Sequence, residues 1–139
     1  MNCLNRFGEL LLMGAKALLC FDIENGEKVV AALDKAGKAP NVALWAILPD
    51  YEDWRLVIAS DRLDQSSEFT GYREINEAID KAGIPFHRQP TIYMRPLNNP
   101  MIQALRKNYA SMSDNYGMRI GSQMFGDKYL EDAVVYRIR

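Results

Sequence analysis

A single histidine, two cysteines and a formal net charge of -1, from 17 Lys plus Arg against 18 Asp plus Glu, leave this 139-residue chain little from which to build a soft-metal centre or a polyanion-binding field. Cys3 and Cys20 have neither ligand-like spacing nor a histidine nearby, and both sit in apolar surroundings, which predicts reduced thiols in a reducing compartment. The balanced charge removes the broad positive potential that a general nucleic-acid binder needs, so nucleic acid remains a rival only through a local basic face. Glycine-rich loops followed by Lys-Ser/Thr are absent, and none of Ser60, Ser66, Ser67, Ser111, Ser113 and Ser122 occupies a strand-turn-helix elbow. Phosphate cradles and serine nucleophiles are therefore not expected. The longest apolar stretch, Leu10 to Cys20, is broken by Lys16 and preceded by Glu9, and it falls short of the about 20 residues that span a bilayer. Ala17-Leu18-Leu19 before Cys20 lacks the small residues of a processing site. The expectation is a cytoplasmic protein with no membrane partner.

What the chain does have is a hydrophobic fraction of 48%, enough for one domain over 1–139 to bury a core unaided, with residues 1–20 as an N-terminal helical extension. The spacing of Phe7, Leu10, Leu11, Met13, Ala17 and Leu18 predicts a short helix over Asn5 to Leu19. A second helix carries Val29, Val30, Leu33 and Ala36 on one face, with Lys35 in its last turn and Gly37 at its end. Val42 to Leu48 is apolar on both strand phases, which suits a central strand, and Trp54 to Ala59 returns beside it as a hairpin. Phe69, Tyr72, Ile75 and Ile79 define the next helix, Thr91 to Arg95 a short strand, and Asn99-Pro100 the capped start of a helix with Met101, Ile102, Leu105, Tyr109 and Met112. Met118 to Gln123 and Ala133 to Ile138 complete the strands. The connection between them is long enough to hold a strand extension or a structured loop. The order predicts an α+β fold: a mixed or mainly antiparallel sheet of about five strands with three to four helices.

Ala32-Leu33-Asp34-Lys35-Ala36-Gly37 recurs as Ala78-Ile79-Asp80-Lys81-Ala82-Gly83. Two independent uses of one helix-ending chemistry explain this, as does a duplicated helix-strand unit.

Catalytic constellations are thin. His87, between Pro85 and Pro90, has neither an orienting acid nor a nucleophile beside it in sequence. The acidic groups Asp50, Glu52 and Asp53; Asp61, Asp64 and Glu68; and Asp127, Glu131 and Asp132 fall at turns and helix starts, where carboxylates serve local hydrogen bonding. No catalytic, metal-ligating or cofactor-binding residue is assigned and no cofactor is expected. A phosphoester or other hydrolase using Asp61, Asp64 and His87 stands as the enzymatic alternative.

Strand phase supplies the strongest polar pattern. With Trp54, Leu56 and Ile58 turned to the helices, Arg55 turns away; Ile92 and Met94 place Tyr93 and Arg95 outward, Met118 and Ile120 do the same for Arg119, and Val134, Tyr136 and Ile138 for Arg137. Arg55, Tyr93, Arg95, Arg119 and Arg137 would then form one partner- or anion-binding surface of guanidinium and aromatic groups. The competing expectation is that Asp50, Glu52, Asp53, Glu131 and Asp132 neutralise them. Trp45 and Ile47 mark the apolar strand that would lie beneath the N-terminal helix or a second subunit.

Ala43-Leu44-Trp45, Pro49, Trp54-Arg55-Leu56-Val57-Ile58-Ala59-Ser60 and Tyr129 to Arg137 carry a resemblance. The chain resembles a group of small bacterial proteins of unassigned function that share a helix ending in a Lys-Ala-Gly-type cap, a Trp-centred hairpin, a middle helix containing Tyr72-Arg73 and a tyrosine-rich final strand. It covers about Asn25 to Arg137 and implies a bacterial cytoplasmic domain, without implying an activity. The resulting expectation is an accessory or interaction protein, not an enzyme, that presents the arginine face to a protein partner or a second copy of itself. A weak nucleic-acid-binding module using the same face is the other alternative.

Overall fold

The computed structural model describes residues 18–63 and 65–139. The helix expected over Asn5 to Leu19, apart from Leu18 and Leu19, and the carboxylate Asp64 lie outside those residues. The described chain is an α+β fold with the elements α1 (Cys20–Lys35), β1 (Val42–Ile47), β2 (Arg55–Ala59), α2 (Glu68–Lys81), a 3-10 turn (Phe86–Arg88), β3 (Ile92–Met94), α3 (Pro100–Tyr109), β4 (Arg119–Phe125) and β5 (Lys128–Ile138). One sheet runs β3-β2-β1-β5-β4, with every neighbouring pair antiparallel except the parallel pair β2/β3, whose crossover is α2.

Local chemistry sets the helix ends. Asp22 accepts a hydrogen bond from the Leu19 N–H at 3.1 Å at the start of α1. Ser67 Oγ accepts from the Thr70 N–H at 3.1 Å, and Asn99 Oδ1 accepts from the N–H groups of Met101 and Ile102 at 3.0 and 3.3 Å. The two repeated hexapeptides end α1 and α2 identically: Gly37 and Gly83 take φ of 75° and 73°, and Lys38 and Ile84 donate back to the carbonyls of Leu33 and Ile79. Ala32, Lys35 and Ala36 of the first copy and Ala78, Lys81 and Ala82 of the second also line one groove of about 630 Å³ between the two helices. Both copies thus serve the same helix-ending chemistry.

β1 is buried along its whole length, as its two-phase apolar pattern requires. Ala43 and Trp45 join Val29, Leu33, Leu56, Ile58, Ile75, Ile79, Met94, Val134 and Tyr136 in a core under α1 and α2. Val42, Leu44 and Ala46 join Val57, Ala59, Tyr93, Met101, Ile102, Leu105, Ile120, Leu130 and Val135 in a second core under α3. Each fully buried Leu or Ile contributes about 1.5–3 kcal/mol to holding these layers. The expected bare face is thus corrected: helices cover both sides of the sheet, because α3 crosses to the side opposite α1 and α2.

β4 and β5 extend through most of the connection expected between Gln123 and Ala133, the strand extension its length allowed, and meet at the turn Gly126-Asp127. Two corrections follow. A register shift between Ala43 and Leu44 places a bulge in the β1/β5 ladder. Beyond it Arg137 pairs with Ala43, on the same side as Tyr136, so Arg137 does not alternate with it as regular phase predicts. Finally, Cys20 is disulfide-bonded and not the reduced thiol expected, while Cys3, the only other cysteine, lies outside the described residues. Among the described residues no helix is long and apolar enough to cross a membrane.

Candidate functional site

The five residues of the expected surface divide between the two faces. Arg55 shares the phase of Val57 and Ala59, and Tyr93 sits opposite Val57 in the parallel register, so Arg55, Tyr93 and Arg95 belong to the α3 side. Met118 and Ile120 also pack toward α3, which turns Arg119, opposite Val134, to the α1/α2 side. The bulge puts Arg137 there as well. Both of these guanidinium groups are held within the fold: Arg119 grips Asp132 with two donors, Nε at 3.0 Å from Oδ1, and Arg137 grips Asp34 at 2.8 and 3.0 Å while also donating to the Pro40 carbonyl. The expected intramolecular pairing therefore applies to these two, and they share no surface with Arg55.

On the α3 side the chain assembles an alternating row of cations and rings. The Arg55 guanidinium carbon lies 4.2 Å from the Tyr51 ring centroid, Tyr51 meets Tyr93 edge to face at 5.9 Å, and Arg95 lies 3.9 Å over Tyr93. Geometry of this kind suits cation–π attraction, worth about 0.5–1 kcal/mol at an exposed site and more when desolvated. Tyr93 is buried and Tyr51 is 37% exposed, so the row runs from the core edge to solvent. Arg95 donates to the Met94 carbonyl at 2.8 Å and pairs loosely with Glu68 at 3.4 Å. Lys128, the nearby cation on β5, is taken by Asp50 at 2.9 Å, and that hydrogen bond chiefly raises its pKa. Arg55 differs from all of these. Its Nε is enclosed and has no hydrogen-bond partner among the described residues. Tyr51, in the β1–β2 turn, escaped sequence reasoning because nothing local couples a turn tyrosine to a strand two residues past the turn's acids.

The outer edge of β3 is closed. The Met94 N–H bonds the Tyr72 hydroxyl at 3.0 Å, and the Met94 carbonyl takes Arg95, which blocks strand addition there.

Trp45 lies beneath α1. Its Nε1–H donates to the Tyr136 hydroxyl at 2.9 Å, and that hydroxyl donates to the Ile23 carbonyl at 2.6 Å. Burial pushes the Tyr136 phenol far above its ordinary pKa, so it stays protonated as this relay requires. Ile47 is buried at the end of β1, opposite Asp132.

Asp61 and His87, the described members of the carboxylate–histidine alternative, lie at opposite ends of the β2/β3 pair. Asp61 follows the C-terminal end of β2, where its N–H bonds Asn41 Oδ1, whereas His87 precedes β3, which pairs from the N-terminal end of β2. The acid beside His87 is Asp22. Both line a small pocket with Phe21, Asn25, Trp45, Arg88, Gln89 and Pro90. No group of His, Cys, Asp and Glu among the described residues converges as a metal site.

Burial raises the Asp22 pKa above the ordinary carboxyl value of 3.8, more than the Leu19 N–H lowers it. A carboxyl that binds its proton more tightly when folded costs stability once ionised, so stability falls as pH rises through the raised value. Asp22→Asn, which keeps an oxygen for the Leu19 N–H, is therefore expected to raise the melting temperature near neutral pH. The gain should shrink as pH falls and vanish below 3.8. Thermal denaturation of both proteins across that range checks the sign.

No protein-family model matches the chain, and no curated protein or solved structure matches it.

Proposed function

We propose that this protein is a binding module whose Arg55–Tyr51–Tyr93–Arg95 row takes a carboxylate side chain from a protein partner. The observation that carries the reading is the enclosed Arg55 Nε without a hydrogen-bond partner among the described residues, beside a guanidinium plane fixed on Tyr51. The half-buried Arg55 guanidinium makes no hydrogen bond or ion pair among the described residues, so a carboxylate can meet its outer nitrogens in the planar, two-point geometry that guanidinium favours. Asp50, Glu52 and Asp53 flank Tyr51 in the same turn, and Glu68 touches Arg95. An extended phosphate backbone would be repelled by those acids, whereas one carboxylate between apolar side chains suits the row. This favours a protein segment over a nucleic acid.

The test compares the blocked tripeptides acetyl-Leu-Glu-Phe-amide and acetyl-Leu-Gln-Phe-amide by titration into the full chain. The glutamate peptide should bind about tenfold more tightly, the scale of one charge-assisted pair. Arg55→Gln should abolish that difference while Arg137→Gln preserves it. Equal binding of the two peptides to the unmodified chain would overturn the reading.

A further inference from the structure

On the opposite side of the sheet, the first turns of α1, the middle of β1 and the 3-10 turn border a half-open pocket of about 150 Å³. Its polar lining is largely unused. Asn25 is only 4% exposed, yet its side-chain amide makes no hydrogen bond among the described residues and borders this space. Facing this space, the amide can both donate to and accept from a polar occupant. His87 and Arg88 reach the same space with no ion pair among the described residues, and Gln89 spends only its Nε2, on the Ile84 carbonyl. Asp22 uses one oxygen on the Leu19 N–H and keeps the other. Phe21, Trp45 and Pro90 supply apolar walls.

An acid at one side, a guanidinium at another, an amide able both to donate and to accept, and aromatic walls form a set with a specific complement. We infer that this pocket binds a free α-amino acid as its zwitterion, the ammonium on Asp22, the carboxylate on Arg88, the Asn25 amide bridging, and an apolar side chain against Phe21 and Trp45. A neutral apolar molecule would leave Asn25 unsatisfied, and a simple anion would face Asp22. The pocket and the carboxylate row lie on different faces, so each inference stands or falls separately.

The full chain is titrated with L-leucine, N-acetyl-L-leucine and L-leucinamide while the Trp45 indole N–H and the Asn25 side-chain amide are followed by NMR. Leucine is expected to shift both signals, and the two blocked analogues, each lacking one charge, to bind at least about tenfold more weakly. Asn25→Ala should weaken leucine binding at least about fivefold. Arg88→Gln, at an exposed position where folding is not at stake, should remove the preference for leucine over leucinamide. No shift at either reporter up to about 10 mM ligand, the weak end of specific binding, would overturn the inference. So would analogues that bind as well as leucine, or unchanged binding to a folded Arg88→Gln protein.

Discussion

Gly126→Ala is expected to remove about 3 kcal/mol or more of folding stability. Gly126 opens the β4–β5 turn with φ of 61°, and a Cβ built on it falls 2.5 Å from both the carbonyl carbon and oxygen of Pro100 and 2.8 Å from the Met101 nitrogen. Those atoms belong to the first turn of α3, which Asn99 caps, so they cannot swing aside as a side chain would. Either the hairpin lifts off α3 or the cap breaks, and Phe125, buried in the α3-side core, moves with it. Gly37 provides the control. It has φ of 75° with nothing within 4 Å of the added Cβ, so Gly37→Ala carries backbone strain alone, about 1–2 kcal/mol. Urea denaturation of both variants separates contact from strain. Equal losses would show that the Gly126–Pro100 approach is not what fixes the hairpin.

The second large effect is at Gly26, inside α1, where an alanine would ordinarily favour the helix by about 1 kcal/mol. Here the added Cβ would sit 2.3 Å from the Tyr136 hydroxyl oxygen and 2.8 Å from Trp45 Nε1. Both rings are held by the relay from Trp45 through Tyr136 to the Ile23 carbonyl, so moving either breaks buried hydrogen bonds. Gly26→Ala is expected to lower stability by about 2 kcal/mol net of the propensity gain. Tyr136→Phe deletes the nearest atom, so the double variant should be more stable than the sum of the single losses predicts, by about 1 kcal/mol. Strict additivity in chemical denaturation would contradict this packing.

Most of the element order was legible because it is written in local chemistry. Gly37 and Gly83 end helices because a left-handed residue closes the last turn, Asn99-Pro100 starts one, and the two-phase apolar run of β1 marks a central strand. That same run already implied cover on both faces, and an exposed arginine face conflicts with it. The two misplaced arginines share a cause in long-range geometry. The bulge opposite Ala43 and Leu44 carries Arg137 to the α1 side, and the inward residues of β4 turn toward α3 and not toward α1, which puts Arg119 on the α1 side as well. At the site, Arg55, Tyr93 and Arg95 were legible from period-two phase. Tyr51 was not, since its ring contacts depend on how the turn folds back over the strands. Asn25 likewise reads as an ordinary polar residue of a helix until the 3-10 turn arrives beside it.

The carboxylate is expected to land on Arg55 and not on Arg119 or Arg137. Two-dimensional NMR of the labelled full chain, titrated with acetyl-Leu-Glu-Phe-amide, reads this directly. The prediction is that the largest shifts fall on the Arg55 Nε–H and on the amides of Tyr51, Tyr93 and Arg95, with the Arg119 and Arg137 side chains unmoved. Shifts centred on Arg119 or Arg137, or spread evenly over the surface, would contradict it.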